Sequence, residues 1–244
     1  TFENIKNLTV DMHPWPRGLI PAGCSLRRIF VSSDASKHCL GILIYFLSED
    51  IKTGEWHSRL AFGRPKIHSL SIPAAELAAM LHAINFLPEM ITLSQDLAGE
   101  FQLRPITFYV ASDSMCSLAT LNPLKNHCDV RVRNSVISIH RICEELCVLY
   151  PTANINFLHQ CSENIPANLI SRQNLDPVSI CNLKFYREGC SLWIDENWPP
   201  LDALCLKFSN GNPVWLQQPV AEQNMDNGKK DDGTGDTGGH QDGA

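Results

Sequence analysis

The stretch RIFVSSDASKHCLGILIYFL, residues 28–47, carries the clearest strand signals in the chain. Its first part, residues 28–34, alternates between apolar and other side chains, which predicts a strand. Residues 40–47 are a continuous apolar run of strand length, which predicts a strand buried on both faces. A third alternating segment, residues 55–62, follows a short polar turn. The fold is therefore predicted to begin with three consecutive strands.

The segments that follow alternate between helix and strand. Ser71 and Pro73 mark a helix start, and residues 74–87 are rich in strong helix formers. The later patterns predict a strand at 104–111, helices at 112–121 and 129–150, a strand at 154–159 and a helix at 166–172. Three strands followed by alternation predict an α/β fold with a mixed sheet covered by helices.

The two ends of the chain lack such patterns. Residues 1–27 carry three prolines among scattered apolar residues, which predicts an extended lead-in, the end of a linker from an upstream domain. Residues 28–173 are predicted to form the domain, and residues 174–220 an irregular extension that packs on it. Residues 221–244 are rich in Gly, Asp and Asn, with almost no apolar side chains, which predicts a disordered tail.

Composition and charge exclude several classes of protein. No apolar run approaches the roughly 20 residues that cross a bilayer, and the first residues lack the pattern of a signal peptide. Ten cysteines spread over 244 residues indicate reduced thiols rather than a disulfide scaffold, so we expect an intracellular, cytoplasmic protein. The net charge of −6 includes about −4 from the tail. A near-neutral domain can still bind nucleic acid through metal ions and a few local cations.

Three acids lie near the ends of predicted elements. Asp34 closes the first strand, Asp113 closes the fourth, and Glu76 lies in the first turn of the first long helix. If the first and fourth strands are neighbours, the two aspartates meet at one edge of the sheet and Glu76 reaches them from the helix. Hard divalent cations such as Mg²⁺ prefer oxygen ligands of this kind. Two ions about 3.5–4 Å apart would suit phosphodiester hydrolysis, because they activate the attacking water and stabilise the leaving oxygen.

Five motifs follow one another in a characteristic order: SSDASKHCLG at 32–41, LSIPAAEL at 70–77, FYVASDS at 108–114, NIPANLISR at 164–172 and GCSLWIDENWP at 189–199. Together they resemble the ribonuclease H domain of Bel/Pao-type long-terminal-repeat retrotransposons. Lys66 stands where that family has a lysine shortly before its helix start. The likeness covers about residues 14–200 in order and spacing, which makes it more specific than any single motif.

The resemblance implies a ribonuclease H-like fold with a five-stranded mixed sheet flanked by helices. It also implies metal-dependent cleavage of the RNA strand of RNA/DNA hybrids during reverse transcription, with two Mg²⁺ or Mn²⁺ ions. Reverse transcriptase and integrase domains would belong to the same polyprotein. By position, Asp34, Glu76 and Asp113 match three of the family's acidic metal ligands, and Asn168 replaces the fourth, an aspartate. His159 matches a histidine that would shuttle protons during product release.

The start of the long helix carries Arg131 and Arg133, which would contact nucleic-acid phosphates or simply face solvent.

Each of the other site residues also has an ordinary structural explanation: Asp34 as a strand-end turn residue, Glu76 as a partner of the helix dipole, Asn168 as a helix-start residue and His159 as a surface histidine.

Two further groups of residues have both a chemical and a structural explanation. His140, Cys143 and Cys147 share one helical face. We expect core packing there rather than a zinc site, because no paired CxxC accompanies them. Trp193 and Trp198 are expected to anchor packing rather than to stack on bases.

Three functions remain open at this point. The leading hypothesis is an active ribonuclease H. The second, from another class, is a catalytically inactive module that binds or tethers hybrids, and Asn168 favours it. The third is an integrase-type strand-transfer enzyme on the same fold. It is weakened because its carboxylates come in the order Asp, Asp, Glu, whereas the glutamate is second here.

Overall fold

A computed structural model describes residues 19–98, 106–122, 129–151, 153–172, 187–195, 198–199, 203–209 and 212–215. The predicted disordered tail at 221–244 lies outside these ranges, as do residues 1–18 of the predicted lead-in. None of the helices in the described part of the chain has the length and apolar character of a membrane span.

The described strands form one mixed sheet in the order β3-β2-β1-β4-β5-β6-β7. Their bounds are β1 Cys24–Ala35, β2 Cys39–Asp50, β3 Trp56–Ile67, β4 Thr107–Ser112, β5 Asn154–His159, β6 Leu204–Ser209 and β7 Asn212–Trp215. β1 pairs with β4 and β4 pairs with β5 in parallel, and every other neighbouring pair is antiparallel. The α/β fold with a mixed sheet is therefore confirmed.

Five α-helices are described: α1 Ile72–Asn85, α2 Leu87–Ala98, α3 Met115–Thr120, α4 Val130–Leu149 and α5 Ala167–Ser171. Local sequence sets their starts. Ser71 occupies the N-cap position of α1, with a proline in the first turn. Ser114 and Asp129 cap α3 and α4 by accepting backbone N–H bonds from Ser117 and Arg131.

The sheet separates two apolar cores, because alternate residues of each strand face opposite sides. Ile29 and Val31 of β1 face a core shared with α1, α2, α3 and α4. Phe30, between them, faces the second core, which α5 and the segment around Trp193 cover. As predicted, β2 is buried on both faces, since every residue from Cys39 to Ser48 is buried.

Two elements go beyond the sequence prediction. The sequence pattern did not predict helix α2, because Pro88 directly follows the residues predicted as the first long helix and proline commonly ends a helix. A proline in the first turn of a new helix is tolerated, since its missing N–H would have no partner there. Strands β6 and β7 extend the expected five-stranded sheet to seven, within residues predicted to be irregular. β6 is short, and its strand conformation depends on pairing with β5, which its own pattern does not reveal.

The helical face that carries His140, Cys143 and Cys147 belongs to the core. The His140 ring hydrogen-bonds the backbone oxygen of Leu121 at 2.7 Å, and Cys143 and Cys147 are buried in the helical core. Eight cysteines lie in the described part of the chain, and all are free thiols. The structure therefore agrees with core packing and reduced thiols.

The segment that covers the second core is anchored by Trp193. Its side chain is fully buried and stacks on Phe30, with 3.6 Å between ring centroids. Tyr45 meets its edge at 5.2 Å, and Trp198 lies against Phe30 and Tyr109. Arg28 donates hydrogen bonds to the backbone oxygens of Trp193 and Asp195. These contacts attach residues 187–195 and 198–199 to the sheet.

The Trp193→Ala substitution is expected to lower the free energy of unfolding by about 3–5 kcal/mol, because it opens a cavity against Phe30 and Tyr45 of the sheet. Urea unfolding would measure this change. Ser191→Ala, at an exposed position in the same segment, is the control and should stay within about 0.5 kcal/mol of the parent. Equal stabilities for the two variants would contradict the anchoring role of Trp193.

Candidate metal centre

The parallel pairing of β1 with β4 brings two aspartates together. Ser32 of β1 lies opposite Ala111 of β4. The same register, continued by two residues, places Asp113 beside Asp34 at the edge where both strands end. Adjacent strands are about 4.8 Å apart, so the two carboxylates are neighbours.

Helix α1 brings the third carboxylate to this edge. The helix begins at Ile72, so Glu76 lies in its second turn, not in the first turn as the sequence suggested. Ala75 and Ala79 pack on Ala35 and Leu40 at the end of the β1–β2 hairpin. These small side chains let the helix approach closely, and Glu76 is only 8% exposed. The helix-dipole explanation for this acid is therefore insufficient.

The three side chains form one compact group of oxygen ligands. Ligand atoms of Asp34, Glu76 and Asp113 all lie within 4.8 Å of one another. Among the described residues, no other group of three or more His, Cys, Asp and Glu side chains converges in this way. Carboxylates packed so closely repel one another unless they are protonated or share a cation.

The electrostatics of the cluster show this repulsion. Burial, followed by the charges of Asp34 and Asp113, raises the pKa of Glu76 to about 8. Burial also raises the pKa of Asp34, although a hydrogen bond from Ser171 opposes the change. Glu76 Oε2 is buried and has no hydrogen-bond partner among the described residues. Three clustered carboxylates, two of them buried, fit a hard divalent cation.

Ser171 and Arg172 support the cluster, and sequence reasoning assigned neither of them a role. The Ser171 hydroxyl is fully buried and donates a hydrogen bond to Asp34 Oδ2. The positive charge of Arg172 opposes part of the rise in the pKa of Asp34 and of Glu76. Both residues end the NLISR motif, which was the available signal.

Helix α5 can hold Ser171 there because it lies very close to β2. A Cβ atom at Gly41 would clash with the backbone oxygen of Ala167 and stand 3.0 Å from the backbone nitrogen of Ser171. The Ala167 N–H also donates to the Ser32 hydroxyl at 3.1 Å. The close approach of α5 therefore requires glycine at position 41.

Residues 3–113 match the family described as the Pao retrotransposon-like RNaseH-like domain. This part of the chain is therefore similar to that family. The sheet order and the mixed pairing described above are those expected of a ribonuclease H-like fold, so the fold implied by the sequence motifs is confirmed.

Several solved ribonucleases H are similar to the RNaseH-like domain. RNase H1 from the archaeon Halobacterium salinarum NRC-1 is 9% identical, and the alignment covers 62% of this chain and 98% of that protein, with a TM-score of 0.37. The N-terminal RNase H domain of rv2228c from Mycobacterium tuberculosis is 9% identical over 63% and 96%, with a TM-score of 0.39. LC11-RNase H1, isolated from compost and solved with an RNA/DNA hybrid, is 12% identical over 62% and 96%, with a TM-score of 0.38. Comparison with curated protein sequences finds no significant match.

Asn168 of the RNaseH-like domain is connected to the cluster but faces a different partner. Its backbone oxygen accepts a hydrogen bond from the Ser171 hydroxyl, which also contacts Asp34. Its side-chain amide donates to the backbone oxygen of Ser162 and, at 2.8 Å, to the Ser162 hydroxyl. The remaining oxygen, Oδ1, is buried without a hydrogen-bond partner among the described residues. Asn168 thus has a structural role through its amide group, and its side-chain oxygen has no hydrogen-bond partner among the described residues.

The other predicted site residues lie outside the group of three carboxylates. His159 ends β5 opposite Ser112, two strands away from Asp34, and is not part of the group of three carboxylates. Arg131 and Arg133 are exposed in the first turn of α4. Arg131 also faces its own cap, with 3.8 Å between its Nε and Asp129 Oδ1. Contact of these arginines with nucleic acid stays a prediction.

The metal-free RNaseH-like domain is expected to lose stability as pH rises from about 4.5 to about 8. On folding, the pKa of the Glu76 carboxyl rises from its ordinary 4.5 to about 8. Between these pH values the folded state therefore keeps a proton that the unfolded state has released. The free energy of unfolding therefore falls as pH rises. Glu76→Gln should remove this part of the dependence, measured by urea unfolding in EDTA at several pH values.

Glu89→Gln is the matched control, because Glu89 is an exposed acid on the neighbouring helix α2. Its pH profile should follow that of the parent. If the Glu76→Gln profile also followed the parent, the crowding of Glu76 by the two aspartates would be refuted.

Proposed function

We propose that this chain is a metal-dependent endonuclease that cleaves the RNA strand of RNA/DNA hybrids during reverse transcription of a retroelement. The convergence of Asp34, Glu76 and Asp113 within 4.8 Å carries this proposal. The match of residues 3–113 to a retrotransposon-like RNaseH-like family supports it. An integrase-type strand-transfer enzyme is disfavoured, because the glutamate comes second in the chain and lies on the first helix.

In this proposal Asp34, Glu76, Asp113 and Asn168 hold two Mg²⁺ ions, which Mn²⁺ can replace. Bound cations would supply an activated water and stabilise the leaving oxygen of the scissile phosphate. Asn168 contributes an oxygen but no charge, so the second ion is expected to bind weakly.

The chain's own residues orient and protect the reacting groups. Ser171 fixes the Asp34 carboxylate by its hydrogen bond, and burial of Asp34 and Glu76 excludes bulk water from the ligands. We assign proton transfer during product release to His159, at the end of β5. We assign phosphate binding to Arg131 and Arg133. Both lie at the positive end of the α4 dipole, where an added anion would be stabilising, although Arg131 already faces the carboxylate of Asp129.

The proposal includes a cellular context. Reverse transcriptase and integrase domains would belong to the same polyprotein, with residues 1–27 as the lead-in, 28–173 as the catalytic domain, 174–220 as an extension packed on it and 221–244 as a disordered tail. Action in the cytoplasm is consistent with the eight free cysteines of the described residues, because thiols persist in a reducing compartment.

A second candidate is a catalytically inactive module that binds or tethers hybrids. Asn168 favours it, because its amide donates to Ser162 and an aspartate could not make those bonds. The domain would then keep its fold and its cationic surface while binding metal too weakly for catalysis.

Cleavage of a labelled RNA strand in an RNA/DNA hybrid, with Mg²⁺ or Mn²⁺, tests the enzyme proposal. The parent chain is expected to cut, and Asp34→Asn should reduce the rate at least about 100-fold, the upper range for residues that only support a metal ligand. Asp50→Asn is the matched control. Asp50 lies at the opposite end of β2, where it accepts turn N–H bonds that an asparagine oxygen also accepts.

Equal cutting by the parent and Asp34→Asn would show that the activity does not come from this centre. Hybrid binding without cutting by the parent, at every metal concentration, would favour the inactive module.

Asn168→Asp is expected to raise metal affinity by about 10-fold or more, because it restores a fourth charge at the buried oxygen. It should also lower the stability of the metal-free protein, because the two bonds donated to Ser162 are removed. Isothermal titration with MnCl₂ measures the first effect and urea unfolding in EDTA the second.

Asn164→Asp adds the same charge in the same loop and keeps the acceptor that faces the Cys190 thiol. This control separates direct ligation from long-range attraction. Equal gains in metal affinity for the two variants would contradict a ligand role for position 168.

A further inference from the structure

The first half of β3 forms an open edge of the sheet. β3 stands at one end of the strand order, so among the described strands only β2 pairs with it. The Asp50 N–H donates to the Glu55 carbonyl at 2.8 Å, so this carbonyl faces β2. Backbone groups alternate sides along an antiparallel strand, so those of Trp56 and Ser58 point away from β2. They offer hydrogen bonds to a further strand.

A cleft of about 360 Å³ lies beside the same residues. Residues 55–59 form one wall, and residues 188–191 with Ile194 form the other. Trp56 packs against the second core, and the Ser58 hydroxyl is buried without a hydrogen-bond partner among the described residues. The open edge is therefore bordered by space that an added strand can enter.

The second half of β3 is protected against such an addition. Arg64 and Lys66 are exposed there, and Pro65 between them has no N–H to donate. Charged side chains and proline are features that block pairing at sheet edges. Strand addition is therefore favoured only along the first half of β3.

The charges of the first half complement those of a second copy of the same strand. Glu55 and Arg59 are four residues or about 13 Å apart along the chain, too far to pair with each other. Neither forms an ion pair with another residue in the part of the chain that the structure describes. If two copies run antiparallel with His57 opposite itself, Glu55 of each copy lies opposite Arg59 of the other. Opposite charges placed directly across two strands are stabilising.

The same register also satisfies the backbone. It sets Trp56 of each copy opposite Ser58 of the other, and these are the residues whose backbone groups point outwards. Such residues exchange both of their hydrogen bonds when they lie opposite each other in an antiparallel pair. A shift by one residue would lose the backbone match and the charge match together.

We propose that two copies of this chain form a symmetric dimer by antiparallel pairing of residues 55–59 at the open edge of β3. The same residues face each other in both copies, as a two-fold axis requires. Lys66 lies opposite Leu40 at the end of β3 nearer the metal centre, nine residues or roughly 30 Å from the dimer axis at His57. Both metal centres therefore stay open, and the dimer does not depend on the proposed function.

The test is sedimentation velocity of the full chain in EDTA over a range of protein concentrations. The parent is expected to shift from one copy to two as the concentration rises. Glu55→Arg and Arg59→Glu, made singly, each replace two attractive pairs by two repulsive ones and should weaken dimerisation at least about tenfold. The double variant Glu55→Arg/Arg59→Glu exchanges the charges and restores both pairs. Its dimerisation constant should return to within about threefold of that of the parent.

Glu89→Arg is the matched control, because it makes the same charge change at an exposed position on α2. Its dimerisation constant should stay close to that of the parent. Hydrogen exchange gives a separate readout of the backbone pairing. The amides of Trp56 and Ser58 should exchange more slowly as the parent concentration rises, whereas Glu55→Arg should show no such slowing at the same concentrations.

Four results would overturn this dimer. The first is a folded parent that stays monomeric at every concentration. The second is equal dimerisation by the parent and both single variants, which would place the interface elsewhere. The third is a folded double variant that dimerises no better than the single variants, which would refute the register. The fourth is slow exchange of Trp56 and Ser58 in the monomer, which would show that another part of the same chain covers the edge.

Discussion

The parallel pairing of β1 with β4 is the contact on which the rest of the site depends. It brings two aspartates that are distant in sequence, Asp34 and Asp113, to one edge of the sheet. Helix α1 then packs its alanines on the end of β1 and delivers Glu76 to the same edge. If β1 and β4 were separated by another strand, the three carboxylates could not converge. The position of one strand pair therefore decides whether a metal centre exists.

The convergence has an electrostatic cost that the fold tolerates. Burial and mutual repulsion raise the pKa of Glu76 to about 8, so the metal-free centre holds a proton that a divalent cation would displace. Ser171 and Arg172 oppose this repulsion from α5. The same short helix carries Asn168, whose amide is bonded to Ser162. The segment that supports Asp34 thus also carries the asparagine that stands where the resemblance implies an acidic ligand.

The surface around the centre is divided between two cationic regions. Arg131 and Arg133 lie at the start of α4, and Arg64 and Lys66 lie on β3, where Lys66 bonds His82 of α1. A domain with little net charge outside its tail can bind a polyanion only if its cations are placed in this local way. Metal ions at the three carboxylates would add positive charge between the two regions.

The sequence by itself determined the elements whose signals are local. These are the apolar run of β2, the N-caps of α3 and α4, the order of strands and helices, and the motifs that pointed to Asp34, Glu76 and Asp113. Tertiary structure alone decided the features that arise from pairing or close packing. Strand β6 exists because β5 offers it a partner, and Glu76 is buried because Ala75 fits against the strand end. Ser171 reaches Asp34 only because Gly41 lets α5 approach, and Lys66 meets His82 across two elements. Periodicity and capping are properties of neighbouring residues, whereas these contacts join residues far apart in the chain.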